Sequence, residues 1–175
     1  MIEIRPFTDN DFDDFYAIRR EALVSAPEAF LIKLEDFDRQ AQEVARQRFL
    51  SSTAISNPDR LIVGAWVDDA AKGMAGLSRF NHTGFDHEMV IWGVFSSQTT
   101  RGLGLGQKMM TFLFDAATHI EGVSTLVLSV MADNKNAIQF YQKLGMEIFT
   151  PIENNPLLAD AEEDEIFMVY HLTTT

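Results

Sequence analysis

The chain of 175 residues has no cysteine, which excludes a disulfide scaffold, a thiolate metal site and a cysteine nucleophile together, and which fits a reducing compartment. Its four histidines, His82, His87, His119 and His171, are too scattered along the chain to suggest a metal. No segment approaches the roughly 20 apolar residues of a membrane-spanning helix. The opening Met1 to Phe7 carries no long apolar run behind a basic cluster, so no signal peptide is legible. Basic residues are also scarce. Lys and Arg number 14 against 26 Asp and Glu, a formal net charge of -12 that disfavours nucleic acid and anionic membrane as partners. These absences together lead us to expect a soluble, cytoplasmic protein.

With 46% hydrophobic residues, the chain can build a full core. Met1 to Phe7 reads as a strand. Thr8 with Asp11 forms a short-armed capping box, and Phe7 and Phe12 occupy staple positions, so a helix is expected from about Asp9 to Val24. Phe12, Phe15, Arg19 and Ala22 share one stripe of it. Pro27 breaks the pattern, and Asp36 to Ser51 reads as a second helix, closed by a turn at Asn57-Pro58-Asp59. Extended runs follow at Leu61 to Val67, Gly73 to Asn81 and Glu88 to Phe95, as in an antiparallel meander. A glycine cluster and a helix to about His119 come next. The strand Thr125 to Met131, a short helix Ala137 to Lys143 capped by Gly145, and final strands Met146 to Thr150 and Glu165 to Leu172 complete the pattern, with a solvated acidic loop from Asp160 to Glu165. Helices and strands intermix without a linker, which predicts a single α+β domain over 1-175.

The informative segment is Arg101-Gly102-Leu103-Gly104-Leu105-Gly106-Gln107-Lys108, between an apolar strand and an amphipathic helix. Glycines let backbone curl closely around a ligand, and the first free amides of a helix point at negative oxygens, so a pyrophosphate fits there. A dinucleotide fingerprint requires glycine where Gln107 stands, and a P-loop requires Gly-Lys-Ser/Thr, so both familiar nucleotide motifs fail. A glycine-rich connection that merely permits tight packing stands as the alternative.

The order Arg101-x-x-Gly104-x-Gly106 resembles the Arg/Gln-x-x-Gly-x-Gly/Ala signature of the GNAT family of N-acetyltransferases. Trp92-Gly93-Val94-Phe95 resembles that family's cofactor strand. Asn134-x-x-Ala137-Ile138-x-Phe140-Tyr141-x-Lys143-Leu144-Gly145-Met146 resembles its second motif, and Ala26-Pro27-Glu28-Ala29-Phe30 resembles a connecting segment of some members. The departures are Ser96 and Gln98, where the family usually has a branched apolar residue and Pro, and Met146 in place of an aromatic residue. The resemblance implies a central mixed, mostly antiparallel sheet of six or seven strands flanked by about four helices. It further implies a strand and acceptor-side helices in 1-55, the sheet with the acetyl-CoA loop and helix in 60-131, and the second motif with the final strands in 132-175.

Acetyl-CoA is the implied co-substrate, its pyrophosphate on the amides of Arg101, Gly102, Leu103, Gly104, Leu105 and Gly106 and its pantetheine arm beside Val94 and Ser96. A backbone amide near Val94 is the candidate oxyanion donor. Asn134 and Asn136 are implied to contribute beside the pantetheine, and for Asn134 a capping role can coexist with that. Tyr141 matches the family's general acid, set against plain packing on the stripe Ala137, Phe140, Tyr141 and Leu144. Glu88, on the same alternation as Val94 and Ser96, is the candidate general base, with His87 and Glu35 as rivals and a solvated strand-end carboxylate as the plain alternative. No metal is expected.

The function implied is transfer of acetyl from acetyl-CoA to a primary amine, on a small molecule or a protein, by direct attack in a ternary complex. The -12 charge favours a cationic acceptor. A non-catalytic acyl-CoA-binding or regulatory module is the alternative, and a homodimer is left open.

Overall fold

The computed structural model describes residues 1–30, 32–53, 57, 59–80, 83–151, 155–158, 161 and 164–173. Pro58, Asn81, His82 and, in the acidic loop, Asp160, Glu162 and Glu163 lie outside the described residues. The elements are β1 (Ile2–Pro6), α1 (Phe12–Ser25), α2 (Leu34–Arg39), α3 (Gln42–Leu50), β2 (Arg60–Val67), β3 (Ala70–Arg79), β4 (Glu88–Ser96), α4 (Leu105–Thr118), β5 (Thr125–Met131), α5 (Lys135–Lys143), β6 (Glu147–Phe149) and β7 (Glu165–His171). The seven strands form one mixed sheet in the order β1-β2-β3-β4-β5-β7-β6, an α+β architecture as expected. The chain divides into two compact units, each built from two separate segments: Met1–Ser78 with Trp92–Leu113, and Arg79–Ile91 with Phe114–Thr175.

In the first unit, β1 pairs antiparallel with β2, from Ile2 opposite Val67 to Pro6 opposite Val63. β2 pairs antiparallel with β3 through a two-residue turn, Asp68-Asp69, both with positive φ, the twist that a tight hairpin demands. The entry to α1 follows the capping logic. The Asp11 carboxylate accepts the Thr8 backbone N–H and hydroxyl, each at 2.7 Å, and a bidentate pair from Arg5 at 2.7 and 2.9 Å. The Arg5 guanidinium carbon in turn lies over Trp66, 3.7 Å from the ring centre. Phe7, Phe12, Ile18, Ala22, Phe49, Ile62, Trp66, Met74 and Phe95 form one buried cluster.

The helix expected over Asp36 to Ser51 is instead two helices, α2 and α3, parted at Gln40 and Ala41, whose ψ angles of 127° and 132° are extended. That gives five helices among the described residues rather than about four. Packing accounts for the break. Phe37 and Phe49 are 12 positions apart, which at 3.6 residues per turn puts them about 120° apart on a straight helix. The break lets Phe37 stack on Tyr16 at 4.8 Å while Phe49 reaches Phe15 at 4.8 Å.

In the second unit, β5 runs parallel to the first half of β4, Glu88 opposite Thr125 and Val90 opposite Val127. β5 also pairs antiparallel with β7, which carries the short β6 on its other side. Leu126, Val127, Leu128 and Met168 are fully or nearly fully buried, and Phe114 stacks on Tyr170 at 4.2 Å. α5 ends at Gly145, whose φ of 90° is the left-handed cap that glycine adopts at least cost.

Candidate functional site

The first unit holds the second half of β4 and the loop that follows it. Trp92 is fixed by a hydrogen bond from its indole N–H to Ser78 Oγ at 2.8 Å, and it occupies space that Gly76 leaves free, since a Cβ there would lie 2.2 Å from the indole. The next residue, Gly93, has φ 63° inside a strand. This left-handed residue is a local break in the pleat. Its effect shows in the packing: Trp92 and Phe95 meet the same apolar cluster although they stand three positions apart. A count of two therefore no longer runs from Glu88 to Val94 and Ser96, and the alternation that first pointed to Glu88 does not hold through Gly93.

Past Ser96 the chain makes a 3₁₀ turn over Gln98–Thr100, with Thr100 Oγ1 donating to the Ser97 carbonyl at 2.9 Å. Gly102 and Gly104 then take φ values of 86° and 68°, and a Cβ on either would meet nothing within 4 Å. Packing does not require glycine at these two positions, whereas the backbone conformation does. Arg101, Gly102, Leu103 and Gly104 are all exposed. The first bond of α4 runs from the Lys108 N–H to the Gly104 carbonyl at 3.0 Å. The amides of Leu105, Gly106 and Gln107 precede it and have no helical carbonyl to bond. Gln107 is thus a backbone donor that the motif reading passed over, because a motif counts side chains and this contribution is an N–H. The cradle can hold a phosphate with amides alone.

The second unit holds the proton-handling candidates. Glu88 is only 9% exposed, which rules out the solvated strand-end reading. Its Oε2 accepts from the buried Asn155 Nδ2 at 3.3 Å, and His87 Nε2 lies 3.8 Å from its Oε1. Asn134 caps α5, its Oδ1 accepting the Ala137 N–H at 3.1 Å. Asn136 is exposed on the same helix. Tyr141 is half-buried beside Phe140, and burial pushes its phenol up to about 12. The buried residue of α5 is Ile138, absent from the expected stripe. Glu35, the other rival base, stands in the first unit as an exposed side chain paired with Arg39.

Val94, Ser96 and Arg101 to Gly106 thus belong to the first unit, and Glu88, Asn134, Asn136 and Tyr141 to the second. Among the described residues no three His, Asp or Glu side chains are grouped as metal ligands, and no helix is long and apolar enough to cross a membrane. In the sequence Arg19 stands out only as a member of the α1 stripe. Its Nη1 is a buried nitrogen with no hydrogen-bond partner.

The sequence matches the Acetyltransferase (GNAT) family over residues 12–146. An uncharacterized protein of Mycobacterium leprae is 33% identical over 94 residues, 53% of this chain; the match spans about a quarter of that relative's length. Solved structures share the fold at low identity. A GNAT-family acetyltransferase of Streptococcus pneumoniae superposes with a TM-score of 0.79 at 16% identity, covering 99% of this chain and 100% of that one. The PaiA N-acetyltransferase of Thermoplasma acidophilum, solved with coenzyme A, gives 0.73 at 17% identity over 98% and 99%. YncA of Salmonella typhimurium, solved with its cofactor acetyl-CoA, gives 0.76 at 16% identity over 99% and 95%.

Proposed function

Because the chain belongs to the GNAT family of acetyltransferases, we propose that it transfers acetyl from acetyl-CoA to a primary amine by direct attack in a ternary complex. The observation that carries this reading is the pair of left-handed glycines, Gly102 and Gly104, leading into the unbonded first amides of α4. Acetyl-CoA supplies the activated thioester. The amides of Gly102, Gly104, Leu105, Gly106 and Gln107 hold its pyrophosphate, those of Arg101 and Leu103 being spent on the Gln98 and Thr100 carbonyls at 3.3 Å each, and Val94 and Ser96 line its pantetheine arm. Positioning the two reactants supplies much of the rate, and a backbone amide near Val94 stabilises negative charge on the carbonyl oxygen.

The acceptor amine needs a base. With a pKa near 10.4, about one alkylamine molecule in a few thousand has a free lone pair at neutral pH. Glu88, anchored by Asn155 and adjacent to His87, takes the proton directly or through water. Asn134 and Asn136 contribute at the start of α5. Tyr141 serves the departing sulfur, and its elevated pKa decides how. A phenol near 12 against an alkyl thiol near 8.5 leaves full proton transfer uphill by ~5 kcal/mol, so its work is hydrogen-bond donation to the thiolate.

The test is Gly104→Ala. The new methyl meets nothing within 4 Å, so its cost to folding is the left-handed strain of about 1–2 kcal/mol. Acetyl-CoA affinity by calorimetry is expected to fall at least about tenfold, the equivalent of one lost backbone contact. Affinity within about twofold of wild type removes the loop from the cofactor site.

A further inference from the structure

Arg19 has no role in the chemistry above, yet it is placed as though it had one. It stands on the apolar stripe of α1, half-buried, with Nη1 closed to solvent and without a partner. In a chain of 26 acidic residues, Arg5, Arg20 and Arg39 each pair with a carboxylate. Arg19 has none among the described residues. Burial alone acts on its titration, pushing the guanidinium below its ordinary value with no acid opposing it.

Its neighbours are two rings, Phe30 at 5.2 Å and Trp92 at 5.9 Å from the guanidinium carbon, and the backbone of Gly93, where a Cβ would lie 3.1 Å from Nη1. Ring faces compensate only part of the cost of enclosing a guanidinium nitrogen without a partner. Among the described residues nothing anionic meets the Nη1 beside Gly93. The donor does not supply an anion there, because its phosphates are held by the loop amides and its pantetheine and thioester carry no charge.

We propose that Arg19 binds a carboxylate of the acceptor, and that the acceptor is therefore a zwitterion, an amino acid or short peptide. This rests on the acetyl-transfer reading, since that reading puts the pantetheine along β4. It also refines the expectation from net charge: the -12 body attracts the ammonium end, and Arg19 selects for the carboxylate.

The experiment compares free amino acids, dipeptides and the carboxamide of each as acceptors, in wild type and in Arg19→Met, which keeps an unbranched side chain and removes the charge. A charge-assisted Arg–carboxylate pair corresponds to about 10- to 100-fold in affinity. Wild type is expected to prefer acids over amides in kcat/KM by that factor. Arg19→Met is expected to abolish the preference through KM for the acids, leaving the amides and the KM for acetyl-CoA unchanged, and Arg19→Lys to restore part of it. The free-acid and dipeptide arms separate the two sources of carboxylate. Equal use of acids and amides by wild type, or an equal loss on both in Arg19→Met, overturns the proposal.

If no amine is turned over, calorimetry with N-acetylated amino acids and their amides, in the presence of coenzyme A, asks the same question of binding. Arg19-dependent preference for the acid then upholds the Arg19 site while the transfer reading fails, and no preference sinks the Arg19 site. Should Arg19→Met not fold, the wild-type preference alone decides.

Discussion

Tyr141 carries the sharpest residue-scale consequence, because its two readings, packing and chemistry, differ in what its hydroxyl does. Burial holds the phenol near 12, so it remains a donor throughout the range where an acceptor amine loses its proton. The rate constant kcat/KM should therefore rise with pH as the amine deprotonates and show no decline from Tyr141 below about pH 11. Tyr141→Phe should lower kcat by about 10²-fold or more with the KM for acetyl-CoA unchanged. Undiminished turnover in that variant across pH would reduce Tyr141 to packing. A decline in wild type near pH 10 would mean an ordinary phenol. The identity of Tyr141 was legible from the second motif. Its elevated pKa was not, since burial depends on what packs around α5. Glu88 shows the converse: its alternation with Val94 and Ser96 fails at Gly93, and a left-handed glycine inside a strand leaves no mark in the sequence that distinguishes it from a weak strand residue. Arg19 lies between these cases. Its place on an apolar stripe was visible in the spacing, whereas the lack of a carboxylate partner is a fact of three dimensions.

At the scale of elements, local chemistry was read best where it is self-contained. Thr8 and Asp11 sit three residues apart and bond as their spacing implies, and Arg5 adds a bidentate pair. That contact makes a stability prediction. The Arg5 guanidinium and the Thr8 donors lower the Asp11 pKa from 3.8 to about 2. A carboxylate held low in the folded state contributes stability that is present above its unfolded value and lost as pH falls through the folded one. Asp11→Asn should then cost about 1–2 kcal/mol at neutral pH, discounted for solvent screening. The difference from wild type in urea unfolding should shrink between about pH 4 and pH 2. A constant difference across that window would place the effect in hydrogen bonding rather than charge. The parting of α2 from α3 was not legible, because Gln40 and Ala41 are neither glycine nor proline. What breaks the helix is the demand of Phe37 and Phe49 for two different neighbours.

For the whole molecule, the scarcity of basic residues first argued against anionic partners, yet the best-supported ligand is a polyanion. The chain resolves this by position. Residues 101–150 hold four basic and four acidic side chains, whereas 1–50, 51–100 and 151–175 are each acidic in balance, and the glycine loop there offers amides in place of lysines. The net charge of -12 then bears on the acceptor, whose ammonium it attracts. Family membership establishes acetyl transfer as the chemistry of the fold, and the central claim is that this chain performs it on an amine. The most direct test supplies isotopically labelled acetyl-CoA with an amine panel that includes amino acids, and follows both coenzyme A release and the label by mass spectrometry. The account predicts label on the acceptor nitrogen, one acetyl for each coenzyme A released, and release that depends on the acceptor. Tight acetyl-CoA binding with no acceptor-dependent release and no labelled amine would contradict it, and would leave a cofactor-binding module in place of an enzyme.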